Sequence, residues 1–119
     1  MFKIKTNQQL QTLIQMLKDQ SRREGVAFWY RIASDLEAPT SKRSIVNLSK
    51  LDYYTKDNEI IVVPGKVLAG GTLGHKLTVA ALQCSGSART KIEAAQGKVL
   101  NLHDIMKQHP KAQKLRIIA

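Results

Sequence analysis

The sequence predicts a mixed α/β fold, with helices leading and a mixed α/β half following, and three features carry that prediction. Apolar residues recur at helical spacing near the N-terminus, at Leu10, Leu13, Ile14 and Leu17. Past residue 58 the period changes: Ile60-Ile61-Val62-Val63 is β-branched throughout, and Leu77-Thr78-Val79-Ala80-Ala81-Leu82 is a second apolar run of strand length. Around these runs, cap residues and helix stops mark further short helices, so strands and helices alternate. With 119 residues, 43% of them hydrophobic, the chain suits one domain with a buried core. We expect a helical part over about 1–56 packed on a mixed part over about 57–119.

The first helix opens at Thr6, with Gln9 at capping-box spacing, and stops at Gly25, with Arg22 and Arg23 in its last turn. A second, carried by Phe28 or Trp29 with Ile32, Ala33 and Leu36, ends near Glu37, because Pro39 drives the preceding residue out of the α region. Thr40-Ser41-Lys42-Arg43-Ser44 is polar, basic and aperiodic, and reads as a loop. Asn47 then caps a short helix whose apolar face is Leu48, Leu51 and Tyr54, and Asp57-Asn58 turns the chain into the first strand.

That strand, Ile60-Ile61-Val62-Val63, is closed by Pro64-Gly65. Lys66-Val67-Leu68 forms a separate short strand, and the glycine-rich stretch Gly70-Gly71-Thr72-Leu73-Gly74 is a flexible bend before Leu77-Thr78-Val79-Ala80-Ala81-Leu82. Ser85 or Ser87 caps a helix through Ile92 and Ala95, stopped at Gly97, and Lys98-Val99-Leu100 follows as a strand. Asn101, three residues before Asp104, opens a last helix that Pro110 ends, and Leu115-Arg116-Ile117-Ile118 closes as a strand.

Charge says more about function than any motif. Nineteen Lys and Arg against nine Asp and Glu give a formal net charge of +10, the balance of a polyanion binder. Residues 1–66 carry a net +4 and residues 67–119 a net +6, so the expected footprint wraps more than one face. A lone cysteine, Cys84, excludes an internal disulfide and a Cys-rich zinc site and points to a reducing compartment. The N-terminus lacks the apolar run of a signal peptide, and no stretch is long enough to span a bilayer, so we expect a cytoplasmic protein with no membrane partner.

Catalytic and cofactor signatures fail on context. A dinucleotide fingerprint would need glycine where Ala69 stands and a helix after Gly74; a Walker loop would need glycine at Ile60 and Ser or Thr at Val67. His103 and His109 are six apart with Pro110 following, which suits no metal-binding helix face, so the histidines, His75 included, read as surface residues. Cys84 follows an apolar strand with no nearby Lys or His to activate it. Ser85 and Ser87 lack a nucleophile elbow, and the acids form no catalytic pair. We therefore expect no enzyme, no cofactor, no metal and no small-molecule substrate.

What remains is the cations, with Arg22, Arg23, Arg31 and Lys42 standing out by charge and placement. Phe28-Trp29-Tyr30 and Tyr53-Tyr54 are assigned to core or staple positions, which leaves no stacking platform. Recognition of phosphates and of folded RNA shape is the expected mode, by a stable structural component or, alternatively, by a transient regulatory or processing factor.

Several separated blocks, in order, resemble one family. Val46-Asn47-Leu48-Ser49-Lys50-Leu51, Val62-Val63-Pro64-Gly65-Lys66-Val67-Leu68 and His75-Lys76-Leu77-Thr78-Val79-Ala80-Ala81-Leu82 look like the signature blocks of the archaeal and eukaryotic large-subunit ribosomal protein eighteen-e family, which shares a superfamily with the ribosomal protein fifteen group. The brevity of the chain resembles archaeal members. The resemblance implies irregular β-β-α turns, a structural role in the large ribosomal subunit, no enzymatic activity, and large-subunit rRNA and neighbouring ribosomal proteins as partners. Carried over by position, it implies RNA contacts at Arg43, Asn47, Ser49, Lys50, Lys66, His75 and Lys76, with Gly65 and Gly70 shaping the backbone. Thr40-Ser41, Tyr30-Arg31, Cys84 and Gly86 depart from the family pattern.

Overall fold

In the computed structural model, residues 7–39 and 43–119 are described. The amphipathic repeat at the N-terminus becomes α1 (Asn7–Glu24). Gly25 stops it with φ +68, and Val26 N–H reaches back to Ser21 O at 3.1 Å, the six-to-one bond of a Schellman turn. The Thr6 end of the expected capping box lies outside the described residues. The next helix, α2 (Ala27–Glu37), ends where Ala38 goes extended (φ −65, ψ 152) ahead of Pro39. The following elements are β1 (Ser44–Asn47), α3 (Leu48–Tyr54), β2 (Glu59–Leu68), β3 (Leu77–Cys84), α4 (Gly86–Ala94), β4 (Lys98–Asn101), α5 (Leu102–Gln108) and β5 (Leu115–Ile117). The fold is mixed α/β, as expected.

All strand pairings are parallel, in the order β1-β2-β3-β4. β5 joins β2 at Ile60, Ile61 and Val62, while β1 joins it from Gly65 to Leu68, so two short strands share one edge of β2 end to end. A parallel sheet is covered on both faces, which is why its inner strands read as continuous apolar runs. Ile61, Val63, Val79 and Ala81 pack with Leu48 and Leu51 of α3 and Ala88 and Ile92 of α4. Their alternates Val62, Ala80 and Leu82 pack on the other face, with Leu17 of α1, Trp29, Ile32 and Leu36 of α2, and Leu102, Ile105 and Met106 of α5. The buried Trp29 indole N–H donates to Pro110 O at 2.7 Å, and Gln20 Nε2 donates to the same carbonyl at 3.2 Å, tying the C-terminal segment to both helices.

Four local expectations are corrected. Ser44 to Asn47 is a strand, too short and too mixed in polarity to show a period of two. Pro64-Gly65 does not end the strand: the register steps from Val63↔Ala81 to Lys66↔Gln83, so a bulge absorbs the residue that lacks an N–H, and Lys66, Val67 and Leu68 continue β2. Gly65 is required there, since a Cβ would lie 2.1 Å from Ser44 O. Tyr54 is half exposed and does not join Leu48 and Leu51 inside. Finally, the glycine-rich stretch is not a bend, because β2 and β3 run parallel and the chain must return along their length.

The caps otherwise follow the side chains. Ser85, not Ser87, accepts from Ala88 N–H at 3.1 Å, and Asn101 accepts from Asp104 N–H at 2.7 Å. Cys84 is 1% exposed, and burial pushes its thiol above the usual range, with Arg89 opposing this.

Gly65→Ala is expected to destabilise the protein by about 3 kcal/mol, since backbone must move, whereas Gly86→Ala, with nothing within 4 Å, should stabilise by roughly 0.5 kcal/mol. Urea melts that rank the two equally would contradict the close approach. For Cys84, iodoacetamide should label the folded protein far more slowly than the unfolded one at pH 8. Because the raised thiol stays protonated while an unfolded chain ionises, its contribution is full below pH 9.0 and is lost as pH rises above it.

Candidate nucleic-acid interface

Eight residues, 69 to 76, join two adjacent parallel strands. Such connections commonly take a dozen residues or more. Leu68 and Leu77 sit at opposite ends of the ladder, about 26 Å apart at ~3.3 Å per residue. Nine Cα steps reach at most roughly 30–32 Å, so the segment is drawn nearly straight across the α3 face as a strap.

Being extended, the strap has no ladder partner along most of its length, and side chains supply the bonds. Asn47 stands at the N-cap position of α3 with extended backbone, but its side chain does not cap the helix: Oδ1 accepts from Gly70 N–H at 3.2 Å. Ser49 N–H, an otherwise free donor in the first turn of α3, donates to Gly70 O at 3.0 Å. Lys91 reaches from α4 to Ala69 O and Gly71 O, both at 3.0 Å. Further on, Asp52 accepts from Gly74 N–H at 2.9 Å, and Asp57 accepts from Lys76 N–H at 2.9 Å. Gly70 and Gly71 leave no room for a Cβ, which would meet Asn47 Oδ1 and Ser49 Cβ at 2.5 Å each, and Gly71 has φ +86.

His75 completes the fastening. Its Nε2 lies 2.7 Å from Thr55 Oγ1, whose hydroxyl also bonds Leu51 O, and its Nδ1 lies 3.4 Å from Asp52 Oδ1. The ring is part-buried with both nitrogens engaged, which corrects the reading of His75 as a plain surface residue. Serine- or threonine-centred nucleophilic chemistry is not built here, because Thr55 is buried and its oxygen is committed to α3.

The residues singled out from the sequence fall into groups. Asn47, Ser49, Lys50, His75 and Lys76 come together on α3 and the strap, with the Lys50 and Lys76 side chains exposed. Lys66 is exposed beside Ile45 on the β1–β2 edge. Arg43 is partly buried, with its Nε hydrogen-bonded to nothing among the described residues. Lys42 lies outside the described residues. Arg22, Arg23 and Arg31 lie on α1 and α2, across the sheet from α3. Two of these are locally neutralised: Arg22 pairs with Asp19 at 3.1 Å and Arg31 with Asp35 at 3.9 Å. Arg23 lines an open groove of about 360 Å³ with Met16, Glu24, His103 and Met106.

Acids are almost all occupied inside the molecule. Glu37, Glu59 and Glu93 pair with Lys18, Arg116 and Arg89, while Asp52 and Asp57 hold the strap. Lys56, Lys66, Lys76 and Lys98 form no ion pair among the described residues and are exposed. The surface thus keeps an uncompensated positive field over a rigid support. Lys91 was missed as a functional residue, since its two acceptors are backbone carbonyls that no side-chain pattern reveals. Among the described residues, no three His, Cys, Asp or Glu side chains converge on a metal site, and no helix is long and apolar enough to cross a membrane.

Removing one fastener should loosen the strap before it unfolds the sheet. Asn47→Ala and Asp52→Ala are each expected to cost about 1 kcal/mol and to speed amide exchange at Gly70 and Gly74 respectively. Unchanged protection at both amides would mean the strap is held by packing alone.

Comparison with known proteins identifies the family of the chain. The sequence profile of the family described as "Ribosomal protein 60S L18 and 50S L18e" matches residues 3–119. The chain is 43% identical to the large ribosomal subunit protein eL18 of Methanothermobacter thermautotrophicus over 114 residues, covering 96% of this chain and 94% of the relative. It is 45% identical to that of Methanosphaerula palustris over the same shares. The protein of the same name from Sulfolobus acidocaldarius is 46% identical over 103 residues, 87% of this chain and 84% of the relative.

Proposed function

The chain belongs to the ribosomal protein 60S L18 and 50S L18e family, whose members are structural components of the large ribosomal subunit and not enzymes, and we propose that it serves there as a single rRNA-binding unit over residues 1–119. It binds large-subunit rRNA and abuts neighbouring ribosomal proteins. The observation that supports this most is the strap on α3: it sets Lys50 and Lys76 on a support whose acids are spent on internal bonds. Phosphate binding needs cations held in place more than it needs a pocket.

Within that reading the eleven sequence candidates divide by role. Lys50, Lys66 and Lys76 contact phosphates, joined by Lys42 and Arg43, which precede β1 in the sequence. Asn47, Ser49 and His75 meet RNA only at their outer edges, because their inward groups hold the strap. Arg22, Arg23 and Arg31 form a second, weaker contact on the opposite face, where Asp19 and Asp35 offset two of the three charges.

A tagged chain should co-sediment with the large-subunit peak on a sucrose gradient at one copy per subunit and survive a ~0.5 M salt wash that screens weak surface contacts. Recovery at the top of the gradient would reject the structural role. On purified large-subunit rRNA, Lys50→Ala with Lys76→Ala should lower the salt slope by up to about 2, and Arg22→Ala with Arg31→Ala by less than about 1. The reverse order would place the main footprint on α1 and α2.

A further inference from the structure

Tyr53 and Tyr54 have no role in the core. Tyr53 is 81% exposed, on the side of α3 away from buried Leu48 and Leu51, and Tyr54 is 51% exposed at the flank of that buried face. The sequence assigns both to core or staple positions, and their exposure overturns this. Their rings stand edge to face, with centroids 4.9 Å apart and planes at 79°, so each restrains the other and little rotamer freedom remains to be lost on binding.

The surroundings are cationic. Lys50, three residues before Tyr53 on the same helical face, donates to Ala119 O. Arg116 of β5 donates to Tyr54 O at 2.7 Å, which fastens the end of α3 to the sheet. Lys56 is exposed two residues beyond Tyr54. Of the nearby acids, Glu59 is paired with Arg116 at 3.3 Å, while Asp52 and Asp57 accept from the strap N–H groups of Gly74 and Lys76. An exposed, rigid aromatic pair edged by cations favours a partner that brings a flat π-face and negative charge together, and a nucleotide has both.

We propose that Tyr53 and Tyr54 form a stacking platform for an unpaired base of large-subunit rRNA, with Lys50 and Lys56 supplying positive charge for the adjoining phosphates. This rests on the rRNA-binding reading above and adds to it a single-stranded contact beside the phosphate contacts of the strap. Tyr53, the more open ring, takes the base; Tyr54 supports it from the edge.

The test uses the full chain and purified large-subunit rRNA at ~0.1 M salt, where phosphate contacts are only partly screened. Tyr53→Leu keeps an apolar side chain but removes the π-face. It should weaken binding about 5- to 100-fold with the salt slope unchanged, while Tyr53→Phe binds within about twofold of wild type. Ultraviolet crosslinking of the wild-type complex should give tyrosine–base adducts at Tyr53 or Tyr54. Because Tyr53 is so exposed, circular dichroism should report the same fold for all three proteins. Wild-type affinity in Tyr53→Leu, with wild type bound tightly, overturns the platform and leaves the rRNA reading intact. Equal losses in Tyr53→Phe and Tyr53→Leu overturn stacking in favour of a hydroxyl hydrogen bond. A defect seen only when other ribosomal proteins are present overturns it in favour of a protein neighbour. If wild type shows no salt-dependent binding to this rRNA, the function reading itself falls, and the platform with it.

Discussion

Two central strands that run parallel are joined by only eight residues, and most of the candidate interface follows from that economy. A longer crossover would form a helix and satisfy its own backbone. A strap drawn nearly straight cannot, so its N–H and C=O groups go to Asn47, Ser49, Asp52, Asp57 and Lys91. The close approach in turn favours glycine at 70, where a Cβ would meet the Asn47 side chain, and demands it at 71, where a Cβ would collide with Ser49 of α3. Asn47, Ser49 and His75, which a reader of the sequence assigns to RNA contact, are thus first of all residues that hold the connection down.

That double use also shapes the electrostatics. With nineteen cations against nine carboxylates, most of the latter held in ion pairs or on the strap, exposed Lys56, Lys66, Lys76 and Lys98 are left without an ion-pair partner among the described residues. The ion pairs themselves are at least partly exposed and contribute little stability, roughly 0.2 to 1 kcal/mol each. Stability comes instead from two apolar layers, one on each face of the sheet, and from the Pro110 carbonyl that Trp29 and Gln20 share. A rigid support under free cations suits a partner bound by its phosphates, since ordering costs are met during folding and not again on binding.

Legibility varied with how local the cause was. Helix ends at Gly25, Pro39 and Asn101 were readable because caps and stops act within a few residues. The split of β2 was misread because Pro64 is a strand breaker locally, and only the neighbouring β3 accommodates it through a bulge. β1 was missed because four residues of mixed polarity carry no period; it is a strand only because the far half of β2 offers it an edge. In the candidate site, charge and family resemblance picked out Lys50, Lys66 and Lys76, but not that His75 turns both ring nitrogens inward or that Tyr53 stands in solvent.

Composition, apolar spacing and motif content were enough for a mixed α/β class and membership of a ribosomal family, and for the expectation of a polyanion partner, because each depends on residue types and on neighbours close in sequence. Which strands share an edge, how the glycine-rich stretch crosses them, and which polar groups remain free for a partner depend on contacts between residues 20 to 90 positions apart, such as Gly70 with Asn47 and Trp29 with Pro110. Backbone groups left over by one segment are satisfied by whatever folding brings beside them, and no local pattern records that pairing.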